Sequence, residues 1–267
     1  MNAAPALNLT SAADAAVPAT LELSGIAHSF GGFKVLTDVN FTVPEGQIVG
    51  LIGPNGSGKS TCFNIVSGFL RPKAGKVLLC GRDIASDSIP ARTGYGLMRT
   101  FQTPKVFERM SVLENVMVGL HKDGRSGILT SMLRTPAARR ELHRLREAAE
   151  QCCRKFGLGA LLDTPTGRLP AGQRRVVELA RAYVGSPRLL LLDEPSSGLN
   201  TEEIALLRGW IATLNREGIT ILLVSHDMGL MTIADTVHAL YFGEIIASGP
   251  MSAIQAHPRV REAYLGS

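Results

Sequence analysis

The stretch GPNGSGKST, residues 53–61, constrains the fold more than any other feature of the chain. It fits G-x-x-x-x-G-K-[ST] and follows the apolar run QIVGLIG at 47–53. That order predicts a buried strand, a glycine-rich turn, and a helix from about Lys59 to Leu70. Glycines let the backbone curl until its N–H groups point inward at phosphate oxygens, and the helix N-terminus adds partial positive charge. Gly53, Pro54, Asn55, Gly56, Ser57 and Gly58 form such a cradle. Lys59 is placed to neutralise β- and γ-phosphates, and Ser60, followed by Thr61, offers a hydroxyl to Mg2+.

Acidic residues complete the pattern. LLLLDE at 189–194 reads as a buried strand ending in two carboxylates. Burying a lone carboxylate is costly, so acids at a strand's C-terminal end mark an open sheet edge with a cation nearby. Beside a phosphate loop, Asp193 suits the Mg2+ shell, and Glu194 suits accepting a proton from, or orienting, a water that attacks the γ-phosphate. His226 ends the strand TILLVSH at 220–226, at the same sheet edge; by itself it reads as a hydrogen-bonded structural histidine. Gln102, in MRTFQTP, carries little information alone.

Around these motifs, LELSGIAHSF, VNFTVP and KVLLCGRDI read as strands, and 108–158 as mostly helical with a break at KDGRSG, 122–127. VVELARAYVG is a helix closed by Gly185 and Pro187, a second helix covers about 201–217, and VHALYFGEIIASG reads as a short hairpin. Strands alternating with helices predict an α/β fold with a mostly parallel sheet covered on both faces. With 267 residues and 45% hydrophobic content, the chain makes one large domain or two modest ones. No apolar run approaches the roughly 18 residues of a membrane span, so membrane association is expected to be peripheral. The first twenty residues lack a basic start and a continuous apolar segment and read as a disordered tail.

Cys62, Cys80, Cys152 and Cys153 lack metal-ligand spacing and are expected to be buried or inert thiols in a reducing compartment. The net charge of +5 permits contact with nucleic acid or anionic membrane without implying either. Residues 134–154 carry six arginines against three glutamates, which reads first as a solvated helix face and second as a docking surface near lipid or a partner.

Together these positions resemble the ATPase subunits of ABC transporters, over about residues 20–265. The resemblance runs through the phosphate loop, Gln102, LPAGQ at 169–173, LLLLDEP at 189–195, SGLN at 197–200 and His226. It implies a P-loop NTPase core with a mostly parallel sheet, an antiparallel β subdomain, and a helical subdomain at about 95–185 within a single domain of residues 21–267. It also implies that Gln102 joins the metal and senses the γ-phosphate, that His226 contacts that phosphate, and that Phe30 stacks on adenine. Taken alone, Phe30 reads as a core residue. RTFQTPKVFERMSVLENVMVGLH and the ending FGEIIASGPMSAIQAHPRVREAYLG are similar to the LivG-type ATPases of branched-chain amino acid importers. Lipopolysaccharide-export ATPases share a similar tail but, by resemblance, lack the insertion around 121–140.

The segment LPAGQ departs from the family's usual L-S-G-G-Q, which binds ATP held by the opposite subunit. Pro170 stands where serine is usual, so a hydroxyl and a backbone N–H are both missing, while Gly172 and Gln173 remain and Leu169 and Ala171 complete the segment. A charge-assisted hydrogen bond to phosphate is worth roughly 1.5–3 kcal/mol, on the order of ten- to a hundredfold in binding. Proline suits a helix's first turn, so the fold is not threatened. The resemblance therefore implies a heterodimer with unequal sites, formed with a second, LivF-like ATPase, or else a homodimer. It further implies ATP and Mg2+ as cofactors, two membrane permease subunits, an indirectly linked solute-binding protein, and a place at the cytoplasmic face of the inner membrane. No nucleic acid partner is expected. A lipid or lipopolysaccharide exporter ATPase is the nearest alternative. A soluble ABC ATPase of DNA repair or translation usually carries tandem cassettes or a long coiled coil, and this chain has neither. A regulator without turnover is disfavoured by Glu194 and His226.

Overall fold

The computed structural model describes residues 18–120 and 136–265. Most of the tail expected over 1–20, the break at 122–127 and Arg134 lie outside the described residues. The chain forms two units, one of residues 1–99, 188–196 and 211–267, the other of 100–187 and 197–210.

The first unit holds two sheets. The antiparallel one has the order β2-β1-β4-β5, from β1 (Ala19–Phe30), β2 (Phe33–Pro44), β4 (Ala74–Leu79) and β5 (Arg82–Asp83). The other has the order β10-β9-β3-β8-β7-β6, from β3 (Ile48–Ile52), β6 (Leu97–Arg99), β7 (Leu189–Asp193), β8 (Thr220–Val224), β9 (Thr236–Tyr241) and β10 (Glu244–Gly249). All its pairings are parallel except β9 with β10. The parallel set puts the C-terminal ends of β3, β7 and β8 on one edge. Every residue of those three strands is buried, which is why they read as unbroken apolar runs rather than alternating ones. The β9–β10 hairpin turns on Phe242 and Gly243, both at positive φ (44° and 79°), a geometry whose twist matches the flanking strands.

Helix α1 (Lys59–Ser67) follows β3 and stops short of the expected Leu70, because Gly68 adopts the left-handed conformation and returns its N–H to Ile65 O. From α2 (Ile89–Gly94), the buried Arg92 donates Nη1 to the carbonyls of Ile65 and Val66 at 2.6 and 2.7 Å, satisfying the end of α1 with a cation. Leu21, Leu23, Phe41, Val49, Phe63, Leu191 and Leu222 belong to one buried cluster that joins the two sheets to α1.

His238 of β9 is buried in this unit, its ring 5.0 Å from that of Phe41 and its Nδ1 2.7 Å from Ser248 Oγ. Burial pushes its pKa down to about 4. As pH falls below about 6.5, the unfolded chain takes up this proton first and the folded one does not until about pH 4. Stability is therefore expected to fall by on the order of 3 kcal/mol between those limits and level off below. Denaturant titrations at pH 7 and 4.5 check this: His238→Asn should narrow the difference between the two midpoints, and an unchanged difference would refute it.

In the second unit, α3 (Val112–Val118) opens with a capping box between Ser111 and Glu114 and packs on α4 (Pro136–Lys155) and α5 (Ala171–Val184). Phe156, just past α4, lies 5.5 Å from the Tyr183 ring and 5.0 Å from that of Trp210. Arg139, Arg140, Arg144 and Arg146 are exposed on α4, as a solvated face requires. Cys62, Cys152 and Cys153 are buried, their thiols pushed up to about 12, 12 and 11 by burial. Cys80 is a free thiol and, unlike the other three, exposed, at the tight β4–β5 turn with φ 48°. Helix α6 (Thr201–Arg216) spans the boundary of the two units; α7 (Met228–Met231), α8 (Met251–Ala256) and α9 (Pro258–Leu265) complete the first.

Candidate nucleotide site

Residues 53–58 link β3 to α1, and two glycines there have no substitute. A Cβ on Gly53 would sit 2.2 Å from Leu240 O, and one on Gly58, at φ 109°, would sit 2.6 Å from the Leu36 side chain. The loop backbone therefore runs close against β9 and β2. Lys59 is buried and donates Nζ to the loop's own carbonyls, Gly53 O at 2.7 Å and Pro54 O at 3.0 Å. Burial lowers its pKa, opposed by the charges of Glu194 and Asp193. Ser57 Oγ is buried without a hydrogen-bond partner among the described residues, an orphaned donor that a phosphate oxygen would satisfy. Ser60, Asn55 and Gly56 are exposed and Thr61 is half-buried.

The acids lie at the same sheet edge. Asp193 ends β7, and Glu194 follows it at φ 45°, a left-handed conformation costing of order 1–3 kcal/mol that folds retain where side-chain placement matters. Glu194 N donates to Val224 O at 2.9 Å, which locks it to the end of β8. Its Oε2 lies 2.6 Å from His226 Nδ1. Glu194 is only 14% exposed while His226 is 71% exposed, so the imidazole is the outer member of the pair. β8 itself ends at Val224, two residues before the histidine expected to end it. Phe30, at the end of β1, is 52% exposed and edge-on to His28 at 4.8 Å; it is not a core residue and has a free face for stacking. One neighbour was not anticipated: the phenol of Tyr264, on α9, is raised in pKa by burial, opposed by a hydrogen bond with the Gly53 backbone, and raised further by Glu194. A tyrosine in a C-terminal helix gives no local signal of such a contact.

The remaining expected residues belong to the second unit. Gln102 is exposed. Leu169 is buried, Pro170 is the N-cap of α5, and Ala171, Gly172 and Gln173 form its first turn. Proline thus sits one residue before the first turn, and no side chain caps the helix. The free N–H groups of this N-terminus can receive an anion. Gly172 is hemmed in by Glu203, whose Oε1 would lie 2.3 Å from any Cβ there. Glu203 is itself tied into a reciprocal cap with Asn200, at 3.0 and 2.9 Å. Sequence reading missed the brace between these parts. The buried Arg175 donates to the carbonyls of Phe101 and Gln102 and pairs with Glu178 at 2.8 Å. Glu178 Oε1 accepts from the N–H groups of Phe101 and Lys105, both at 3.2 Å. Paired opposite charges at i and i+3 on α5 were the available signal, but on the page of a sequence they look like any surface pair.

Comparison with known proteins agrees with this geometry. The ABC transporter family matches residues 36–197, and the branched-chain amino acid ATP-binding cassette transporter family matches residues 244–267. The chain is 38% identical over 248 residues to the high-affinity branched-chain amino acid transport ATP-binding protein BraF of Pseudomonas aeruginosa, covering 92% of this chain and 97% of BraF. It is 37% identical over 250 residues to LivG, the protein of the same description from Escherichia coli (strain K12), with the same coverage. Among solved structures, the ADP conformation of MJ1267, an ATP-binding cassette of an ABC transporter, superposes with a TM-score of 0.81 at 31% identity, covering 93% of this chain and 99% of that one. With a phosphate loop, paired acids and histidine on one sheet edge, and these matches along nearly its whole length, the chain belongs to the ABC transporter ATP-binding family, in its LivG-like branch.

Proposed function

We propose that residues 21–267 act as one cassette, with a helical subdomain at about 95–185, that binds MgATP, pairs with a second ATPase subunit and hydrolyses ATP to drive import. The observation that supports this most is the edge where Lys59 meets the charges of Asp193 and Glu194, with Glu194 hydrogen-bonded to His226. Lys59 releases the loop carbonyls to meet the β- and γ-phosphates, Glu194 orients and deprotonates the attacking water, and His226 holds the γ-phosphate. Phe30 stacks on the adenine, and the family resemblance gives Gln102 the sensing of the γ-phosphate. Ser60 and Asp193 are hard oxygen donors suited to Mg2+, which is commonly held by one or two carboxylates together with substrate phosphates, and the family resemblance adds Gln102 to them. When bound, that ion would neutralise charge developing on the phosphoryl oxygens.

The LivG-like tail and the identities to BraF and LivG support branched-chain amino acids or related small solutes as cargo. They also support two permease subunits, a solute-binding protein acting through them, and a peripheral place at the inner membrane's cytoplasmic face; no helix among the described residues is long and apolar enough to cross a membrane. The uncapped N-terminus of α5 at Pro170 supports a heterodimer with a LivF-like partner: this chain's loop, Glu194 and His226 are complete, whereas the segment it presents to its partner's ATP lacks a donor. In a reconstituted complex, Pro170→Ser should raise hydrolysis at the partner's site by on the order of ten- to a hundredfold. An unchanged rate would count against unequal sites. Hydrolysis by the purified chain alone, measured over a range of concentrations, tests the pairing: silence at every concentration supports an obligatory partner, and a specific rate that climbs with concentration supports a homodimer.

A further inference from the structure

The C-terminal end of β7 is held by a residue that lies in the quoted segment MRTFQTP but has been given no role so far. Arg99, the last residue of β6, donates Nη2 to Asp193 Oδ2 at 2.7 Å. Its Nη1 donates to Asn64 Oδ1 at 2.8 Å and to Ser67 Oγ at 2.6 Å, both on α1. The guanidinium also lies over the rings of Phe63 and Phe69, at 5.8 and 5.4 Å from their centroids. The pair is enclosed, with the Arg99 side chain 9% exposed and that of Asp193 12%. We propose that Arg99 is a positioning residue for Mg2+: it holds Oδ2 of Asp193 so that Oδ1 is presented to the ion, and it ties that carboxylate to the helix that carries Lys59 and Ser60.

The inference rests on the reading of this edge as a MgATP site. The terminal torsion of an aspartate is soft, so a carboxylate with no second contact samples a wide arc. A planar guanidinium anchored on α1 by one arm removes that freedom with the other, through a short charge-assisted bond. Lys59 does not serve this purpose, since its Nζ hydrogen-bonds to the loop carbonyls. Without Arg99, Asp193 would be a buried charge with no hydrogen-bonded counter-ion until the metal arrived. Arg99 also stands three residues before Gln102, so one strand end supplies both the brace for Asp193 and the start of the segment bearing Gln102.

The test is binding of a fluorescent ATP analogue (mant-ATP) to wild type, Arg99→Met and Arg99→Lys, each titrated with Mg2+ and compared with EDTA, after circular dichroism confirms folding. Arg99→Met is expected to keep the affinity seen in EDTA and to need about ten- to a hundredfold more Mg2+ for half-maximal enhancement. Arg99→Lys, which keeps the charge and loses the fork, should fall between. Mn2+ binding followed by electron paramagnetic resonance, with nucleotide present, should weaken in the same order. The proposal is overturned if Arg99→Met leaves the Mg2+ requirement unchanged, if it lowers it, which would make Arg99 a competitor of the ion, or if affinity drops equally with and without Mg2+, which would make it only a prop for α1. A wild-type chain that fails to bind mant-ATP at all would overturn the nucleotide reading itself, a different result from any of these.

Discussion

Glu194→Gln is expected to bind MgATP as tightly as wild type while its hydrolysis falls by about 10²–10⁴-fold, the usual contribution of a positioned general base. The geometry behind this is the close Glu194–His226 contact at 2.6 Å and a backbone pinned to Val224 in a left-handed conformation. Glutamine preserves shape and hydrogen-bonding capacity but cannot take a proton at neutral pH. Single-turnover hydrolysis with bound nucleotide quantified separately makes the measurement, and the expected companion is a stalled, ATP-bound dimer. Hydrolysis within a few fold of wild type would remove Glu194 from the role of base. His226→Ala adds a contrast: it removes the outer partner while leaving the carboxylate, and so should slow hydrolysis less than Glu194→Gln does.

The second large effect is expected in the other unit. Glu178→Leu strands the Arg175 guanidinium, 1% exposed, and deprives the N–H groups of Phe101 and Lys105 of their acceptor. Removing one member of a buried ion pair costs about 3–5 kcal/mol, which is a large share of a domain's total stability. Burial raises the pKa of Glu178 and the charge of Arg175 opposes it, so the carboxylate depends on its partner. The double variant Arg175→Met/Glu178→Leu should regain much of the lost stability, because an apolar pair of similar volume needs no compensation. Its hydrolysis should nevertheless stay low, since the carbonyls of Phe101 and Gln102 are no longer held to α5. Denaturant midpoints and turnover measured on the same preparations separate the two effects. Recovery of both together would mean that the brace serves stability alone.

Much of the fold was legible because its signals are local. Glycine spacing, the apolar runs that became β3, β7 and β8, and the hairpin at Phe242 and Gly243 each reflect short-range sterics or a single buried face. The alternation of strand and helix was enough for a parallel sheet, and a parallel sheet puts residues that follow its strands on a common edge. Positions 53–61, Asp193, Glu194 and His226 could therefore be grouped without coordinates. Helix ends were less legible. Leu70 looked helical by composition, but Gly68 and the Arg92 side chain, arriving from 26 and 27 residues away in sequence, closed α1 at Ser67.

The sequence by itself determined which groups are available to this protein: a glycine-rich loop, a lysine and two acids at a strand end, readable from residue type and spacing, and an LPAGQ segment whose departure shows only beside the family's usual pattern. Only the tertiary structure decided how those groups are held. Arg99 on Asp193, Arg175 on the Gln102 segment, Tyr264 beside Gly53 and the exposure of Phe30 all depend on which distant segments come to lie side by side. The reason is physical: an arginine or tyrosine is indifferent to its local backbone, and its partner is chosen by the packing of elements up to about two hundred residues apart, as β1's Thr20 meeting Thr220 across 200 positions illustrates.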